Sequence, residues 1–65
     1  MTDIPNANRI HYIHRDTTYS ILHHSVMVKV SSSWKEGCVY QDESSQVIYV
    51  RPYEAFDVNK WRIIG

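Results

Sequence analysis

Four histidines (His11, His14, His23 and His24) and one cysteine (Cys38) are the side chains with the clearest chemical potential in this chain of 65 residues. A zinc ion needs four donors converging on a tetrahedron at about 2.0–2.3 Å. The spacing works against such convergence. On a strand, His11 and His14 point to opposite faces, and the neighbours His23 and His24 also diverge. One arrangement brings donors together: His14 meeting His23 across strands, with Cys38 joining them. That falls well short of a spaced Cys-x-x-Cys pair, so no metal and no cofactor is expected. The histidines read as surface or half-buried groups with some pH sensitivity near ~6.5.

Acid–base and nucleophilic catalysis have weaker support. Cys38 lies in a strand-like run, where a lone thiol behaves as a small hydrophobe rather than a nucleophile. Asp42 and Glu43 sit on a hairpin tip, where solvation leaves nothing to raise a carboxyl pKa for general-acid work. The two glycines, Gly37 and Gly65, are isolated, so no phosphate loop is present. A chain this short can hardly wall off a water-poor pocket. The expectation is that the protein is not an enzyme.

Binding is better served. Five tyrosines and two tryptophans are many for the length, and Tyr and Arg are favoured anchors at protein interfaces. The candidate interaction face consists of Tyr40, Tyr49, Arg51 and Tyr53. Arg51 has an alternative, preferred structural role: bracing the turn that follows it by pairing with Glu54 or Asp57.

These residues need elements to hold them. Residues 1–8, with Pro5 and two asparagines, read as a flexible leader, and residues 9–65 as one small β domain. "RIHYIHR" alternates weakly and reads as a strand; Asp16-Thr17-Thr18 reads as a turn. In "YSILHHSVMVKV", Tyr19, Ile21 and His23 keep odd register, whereas Val26, Val28 and Val30 keep even register. A strand holds one parity, so something must absorb an extra residue near His23-His24-Ser25, and a β-bulge or sharp bend is the simplest answer. "SSSWKEG" (31–37) reads as a polar loop around a buried Trp34.

"CVYQ" and "QVIYV" flank Asp42-Glu43-Ser44-Ser45, which reads as a four-residue hairpin loop with Gln41 opposite Gln46. Cys38, Tyr40, Val47 and Tyr49 then share one face, and Val39, Ile48 and Val50 the other. The small branched side chains of the second face suit a tight barrel interior. The aromatic face is either covered by the curled first half of the chain, the preferred reading, or left as an exposed patch. Pro52 ends the strand at about Arg51. "PYEAFD" fits one helical turn with Tyr53 and Phe56 pressing inward, and "KWRII" closes the chain as a strand bearing Trp61 and Ile63 on one side. The predicted fold is all-β: a small five-stranded, strongly bent SH3-like barrel or rolled sheet, with one short helical turn before the last strand.

This order of motifs resembles a group of short uncharacterised phage and bacterial accessory proteins. A Tyr-x-His-Arg start leads to a Tyr-x-Val-Leu-like segment, then to a Val-x-Tyr strand and a Val-Arg-Pro-x-x-x-Phe segment. The matching positions are Tyr12, His14, Arg15, Tyr19, Leu22, Val39, Tyr40, Val50, Arg51, Pro52 and Phe56. The chain departs from the pattern at His23, where a glycine is usual, and at Ala55, which separates Glu54 from the phenylalanine. The resemblance implies a small β domain, often carried by mobile elements, without an assigned activity.

Charge narrows the partners. Seven Lys/Arg balance seven Asp/Glu. The first 35 residues carry four basic and two acidic side chains, the remainder three and five. A split of +2 against −2 steers a polyanion weakly. The first expectation is therefore a protein-interaction module that works through its aromatic sheet face or an exposed strand edge, on a host protein or on a second copy in a homodimer. The alternative is a nucleic-acid-binding barrel using Arg9, Arg15, Lys29, Lys35, Arg51, Lys60 and Arg62. It is disfavoured if acids are interspersed among those bases. A single cysteine rules out an internal disulfide and fits a reducing, cytoplasmic setting. No run approaches the ~18 apolar residues of a membrane span, and "MTDIPNANR" lacks the order of a signal peptide.

Overall fold

In the computed structural model, which describes residues 4–65, the chain is all-β, with short 3-10 turns as its helical elements. The strands are β1 (Arg9–Tyr12), β2 (Thr17–Val30), β3 (Ser33–Asp42), β4 (Ile48–Pro52) and β5 (Trp61–Ile63). They form one antiparallel sheet in the order β4-β3-β2-β1-β5. The outer strands β4 and β5 do not pair with each other, so the sheet is open rather than closed into a barrel. No helix among the described residues is long and apolar enough to cross a membrane.

β2 is the spine, and it bends where the parity of its apolar residues changes. Leu22 has no opposite number between the pairs Ile21↔Tyr40 and His23↔Val39. His24 and Ser25 together then oppose Cys38 alone before Val26 meets Gly37. The expected single bulge is thus two successive bulges, with Ser25 in the left-handed region at φ 57°. Each extra residue increases local twist and bends the strand.

Beyond the bulges, β2 and β3 continue as a hairpin ribbon closed by Ser31 and Ser32, with Val30 opposite Ser33 and Ser31 at φ 57°. The polar loop expected over 31–37 is therefore mostly strand. Trp34 is 61% exposed rather than buried, and Lys29 lies over its ring at 5.8 Å. Polar composition misled here because a two-residue loop leaves the flanking serine free to enter the ladder.

The β3–β4 register also differs from expectation. Tyr40 faces Tyr49, Val39 faces Val50, and Cys38 faces Arg51. Asp42 pairs with Val47 instead of opening the loop, since its amide donates to the Val47 carbonyl. Its Oδ1 accepts the Ser44 and Ser45 amides, and Gln46 closes the turn at φ 68°. The register moves by two residues. A shift of two preserves the faces, because side chains alternate with period two.

Which face is interior is the larger correction. The barrel-interior role assigned to Val39, Ile48 and Val50 fails: Ile48 is 57% and Val50 54% exposed. The core is instead Ile4, Ala7, Ile10, Tyr19, Cys38, Tyr40, Phe56 and Trp61. This sheet buries one face only, and the face holding the large rings removes more apolar area from water.

Part of the leader belongs to that core. Ile4–Asn6 form a 3-10 turn, and Ile4 and Ala7 are buried. Asn8 is fixed from both sides, its carbonyl accepting from the Ile21 amide and its amide donating to Gly65. The flexible leader expected over residues 1–8 therefore does not extend to residues 4–8, and residues 1–3 lie outside the described residues.

Candidate functional site

The concave side of the sheet carries a cavity of about 240 Å³ lined by Tyr12, Arg15, Tyr19, Tyr40, Tyr49, Arg51 and Trp61. Strand pairing assembles it. Tyr12 sits opposite Trp61 across β1 and β5, and Tyr40 opposite Tyr49 across β3 and β4. Tyr19, on β2 between them, approaches Tyr40 edge-on at 5.2 Å and Tyr49 at 6.0 Å. Tyr12 and Trp61 are tilted together at 4.7 Å, and Tyr40 stacks on Tyr49 at 5.6 Å. Tyr19, Tyr40 and Trp61 are buried and form the floor, whereas Tyr49 is 42% exposed and belongs to the rim.

Arg51 enters this aromatic wall as its ordered cation. Its Nε donates to the Tyr40 hydroxyl at 3.1 Å, and its Nη1 donates to the Ala55 carbonyl at 3.3 Å. The guanidinium lies over Phe56 and Trp61 at 5.5 and 5.6 Å, within cation–π range. Arg51 does brace the following turn, but through a carbonyl. The expected acid partners are engaged elsewhere or turned away: Glu54 faces Lys35 at 3.7 Å, and Asp57 caps the Asn59 amide.

Arg15 contributes the second cation, from the 3-10 turn Ile13–Arg15 that follows β1. The left-handed Asp16, at φ 49°, reverses the chain there. The Arg15 side chain has no hydrogen-bond or ion-pair partner among the described residues. The same is true of the Tyr12, Tyr19 and Tyr49 hydroxyls. Desolvation first, and then the nearby Asp42, holds the Tyr19 phenol above its ordinary range, so it remains a proton donor.

Of the four residues assigned from sequence, Tyr40, Tyr49 and Arg51 line this cavity and Tyr53 does not. The Tyr53 hydroxyl accepts from the Ser25 amide at 3.1 Å and bonds His24 Nδ1 at 2.7 Å. His24 Nε2 meets the Ala7 carbonyl at 2.7 Å, which requires its proton on that nitrogen. Nδ1 then accepts from Tyr53. This relay ties the second bulge of β2 to the leader and to the turn after β4. Sequence reasoning missed Tyr12, Arg15, Tyr19 and Trp61 as members of the site. The shared parity of Tyr12 and Trp61 with Ile10 and Ile63 was available, but the β1–β5 pairing that uses it was not.

The remaining reactive groups are accounted for locally. Burial pushes the Cys38 thiol up to about 11, against weak opposition from Arg51. Glu43 is held down at about 2 by hydrogen bonds from Arg9 and Ser20. Asp42 is lowered by the Ser45 and Ser44 amides. A second depression, lined by Asp16, Thr17, Thr18, Asp42, Glu43 and Ser44, is therefore acidic but internally satisfied. Among the described residues, no three His, Cys, Asp or Glu side chains are grouped to hold a metal ion.

Comparison with known proteins returned no match: neither a family model, nor a curated protein, nor a solved structure is similar to this chain.

Proposed function

We propose that this chain is a non-enzymatic protein-interaction module, with Tyr49 and Arg51 on its contact surface, Tyr40 forming the floor beneath them and Tyr53 tying the adjoining turn to β2. The observation that carries this reading is the composition of the concave cavity: five aromatic rings and two arginines, with no carboxylate among the lining residues. Such a surface offers pre-ordered aromatic contacts at low entropic cost, together with unused polar donors. The rolled sheet acts as an SH3-like scaffold, rigid beneath the rings and open above them. The resemblance to phage and bacterial accessory proteins makes a host protein in the cytoplasm the natural target.

Two features favour a protein over nucleic acid. Arg9 is paired with Glu43 and Lys35 with Glu54, so acids are interspersed among the bases that would contact phosphates. The chain is also neutral overall, which leaves little counterion release to drive binding to a polyanion. The non-enzymatic reading rests on the buried, protonated Cys38 thiol and on carboxylates that are locked as hydrogen-bond acceptors. A general acid needs a pKa near the working pH, and these are displaced away from it.

A second reading, a homodimer, is favoured by β4, which has one unpaired edge and exposes Ile48 and Val50. Unprotected edges of this kind pair readily with a second strand. The deciding experiment is capture from host lysate with wild-type protein and a Tyr49→Ala/Arg51→Ala double variant of verified fold. Loss of a protein band with the variant is expected. Capture that survives both substitutions removes the concave face as the contact surface, and capture of nucleic acid alone transfers the role to the alternative.

A further inference from the structure

Resting on the binding role proposed above, the cavity also specifies the chemistry of what enters it. Its volume, about 240 Å³, lies below the roughly 300–1,000 Å³ of pockets that enclose drug-sized molecules, so it fits one side chain rather than an extended segment. Every lining residue is either aromatic or arginine. The lining rings meet one another edge-on and tilted, which leaves Tyr12 and Tyr49, the least buried of them, to meet a further ring.

The unused donors define the second half of the guest. Arg51 commits Nε and Nη1 to protein acceptors, which leaves Nη2 unengaged. The Arg15 guanidinium and the Tyr12, Tyr19 and Tyr49 hydroxyls also lack protein partners among the described residues. No acid lines the cavity to neutralise the two cations, because Asp42 turns its Oδ1 to the Ser44 and Ser45 amides. Guanidinium and phenol donors facing one small space are matched by a carboxylate, and charge-assisted bonds of this type are about twice as strong as neutral ones.

We infer that the cavity receives the carboxy-terminal aromatic residue of a partner peptide, its ring against Tyr12 and Tyr49 above the buried floor and its terminal carboxylate between Arg15 and Arg51. In such a residue the ring and the anion are separated by only two bonded carbons, which suits a site one residue deep. The floor of the cavity is buried and its exposed margin carries Arg15, so the ring lies over the floor and the carboxylate stays at the mouth.

The test is an NMR titration of the intact chain with the tripeptide acetyl-Gly-Gly-Phe bearing a free carboxylate, with its carboxamide, and with oligothymidylate. The acid should shift the Trp61 indole N–H and bind at least about tenfold more tightly than the amide. Arg15→Gln, at an exposed position, should abolish that preference without altering thermal stability. Arg51→Lys should weaken it while retaining charge. Equal binding of acid and amide, no shift at Trp61, or tighter binding of oligothymidylate would each overturn the inference. If the tripeptide fails while the Tyr49→Ala/Arg51→Ala variant still loses partner capture, the ligand chemistry is wrong and the interaction surface stands.

Discussion

Arg51 and Tyr40 face the same interior from adjacent strands: the 3.1 Å bond from the guanidinium Nε to the phenol joins β4 to β3, while Nη1 of the same guanidinium reaches the Ala55 carbonyl in the turn after β4. Tyr40 is buried, so the oxygen that accepts this bond is largely shielded from water. A hydrogen bond from a charged donor in such a setting contributes about 1.5–3 kcal/mol. Tyr40→Phe and Arg51→Lys should each lower unfolding stability by about 1–3 kcal/mol in urea melts. Their double variant should show a coupling energy of at least about 0.5 kcal/mol, as expected for side chains in contact. Strict additivity would mean that the bond contributes nothing to the fold.

Gly37 permits β4 to close over β3. A Cβ at this position would collide with the Arg51 carbonyl oxygen and lie 2.7 Å from Pro52 Cα. Both are backbone atoms in a paired strand, so no side-chain rotation relieves the clash. Gly37→Ala should cost more than about 3 kcal/mol, at the severe end of single substitutions. It should also disorder the Tyr40–Tyr49 stack, visible as collapse of near-ultraviolet circular dichroism. A variant that melts with wild-type stability would contradict the β3–β4 register.

Much of this organisation was legible in the sequence, and the residues show where legibility ended. The parity break between Ile21 and Val26 announced a bend, and the alternation of Cys38, Tyr40 and Tyr49 placed those three on one face. A register shift of two residues left that grouping intact. What local pattern does not carry is which face this open sheet buries: Val39, Ile48 and Val50 are as strand-like as core valines, and only the reach of Ile4, Ala7 and Phe56, in or just after short 3-10 turns, over the other face decides it. The site was half visible for the same reason. Tyr40, Tyr49 and Arg51 share a hairpin, whereas Tyr12, Tyr19 and Trp61 join them through pairings between distant segments.

Glu43 makes stability depend on acid. Its folded pKa, about 2, lies below its ordinary 4.5 because Arg9 and Ser20 bond the carboxylate. The unfolded chain therefore binds a proton more readily, and the stabilisation is complete above about pH 4.5 and lost as pH falls toward 2. Thermal melts of wild type should decline across that window. Glu43→Gln should be less stable at neutral pH and show a shallower decline. An unchanged slope in the variant would assign the acid sensitivity to other groups.

Cys38 should be chemically silent in the folded chain. The thiol is fully buried and its pKa is raised to about 11, so neither access nor thiolate is available at neutral pH. Iodoacetamide should modify it only in denaturant, as followed by intact mass. The raised value also means that stability present below about pH 9 declines as pH climbs toward 11, where the unfolded chain alone releases the proton. Rapid labelling under native conditions would place the thiol at the surface and undo the core described above.

The most direct test of the proposed interaction surface replaces Tyr49 with the photo-crosslinking residue p-benzoylphenylalanine in one variant and Met27 in another. Tyr49 stands at the rim of the aromatic cavity, whereas Met27 is more exposed, on the β2–β3 ribbon, and does not line that cavity. Irradiation in host lysate should join a protein to the chain from position 49 and leave position 27 unlinked. Crosslinks from position 27 alone, or adducts to nucleic acid from position 49, would contradict the account.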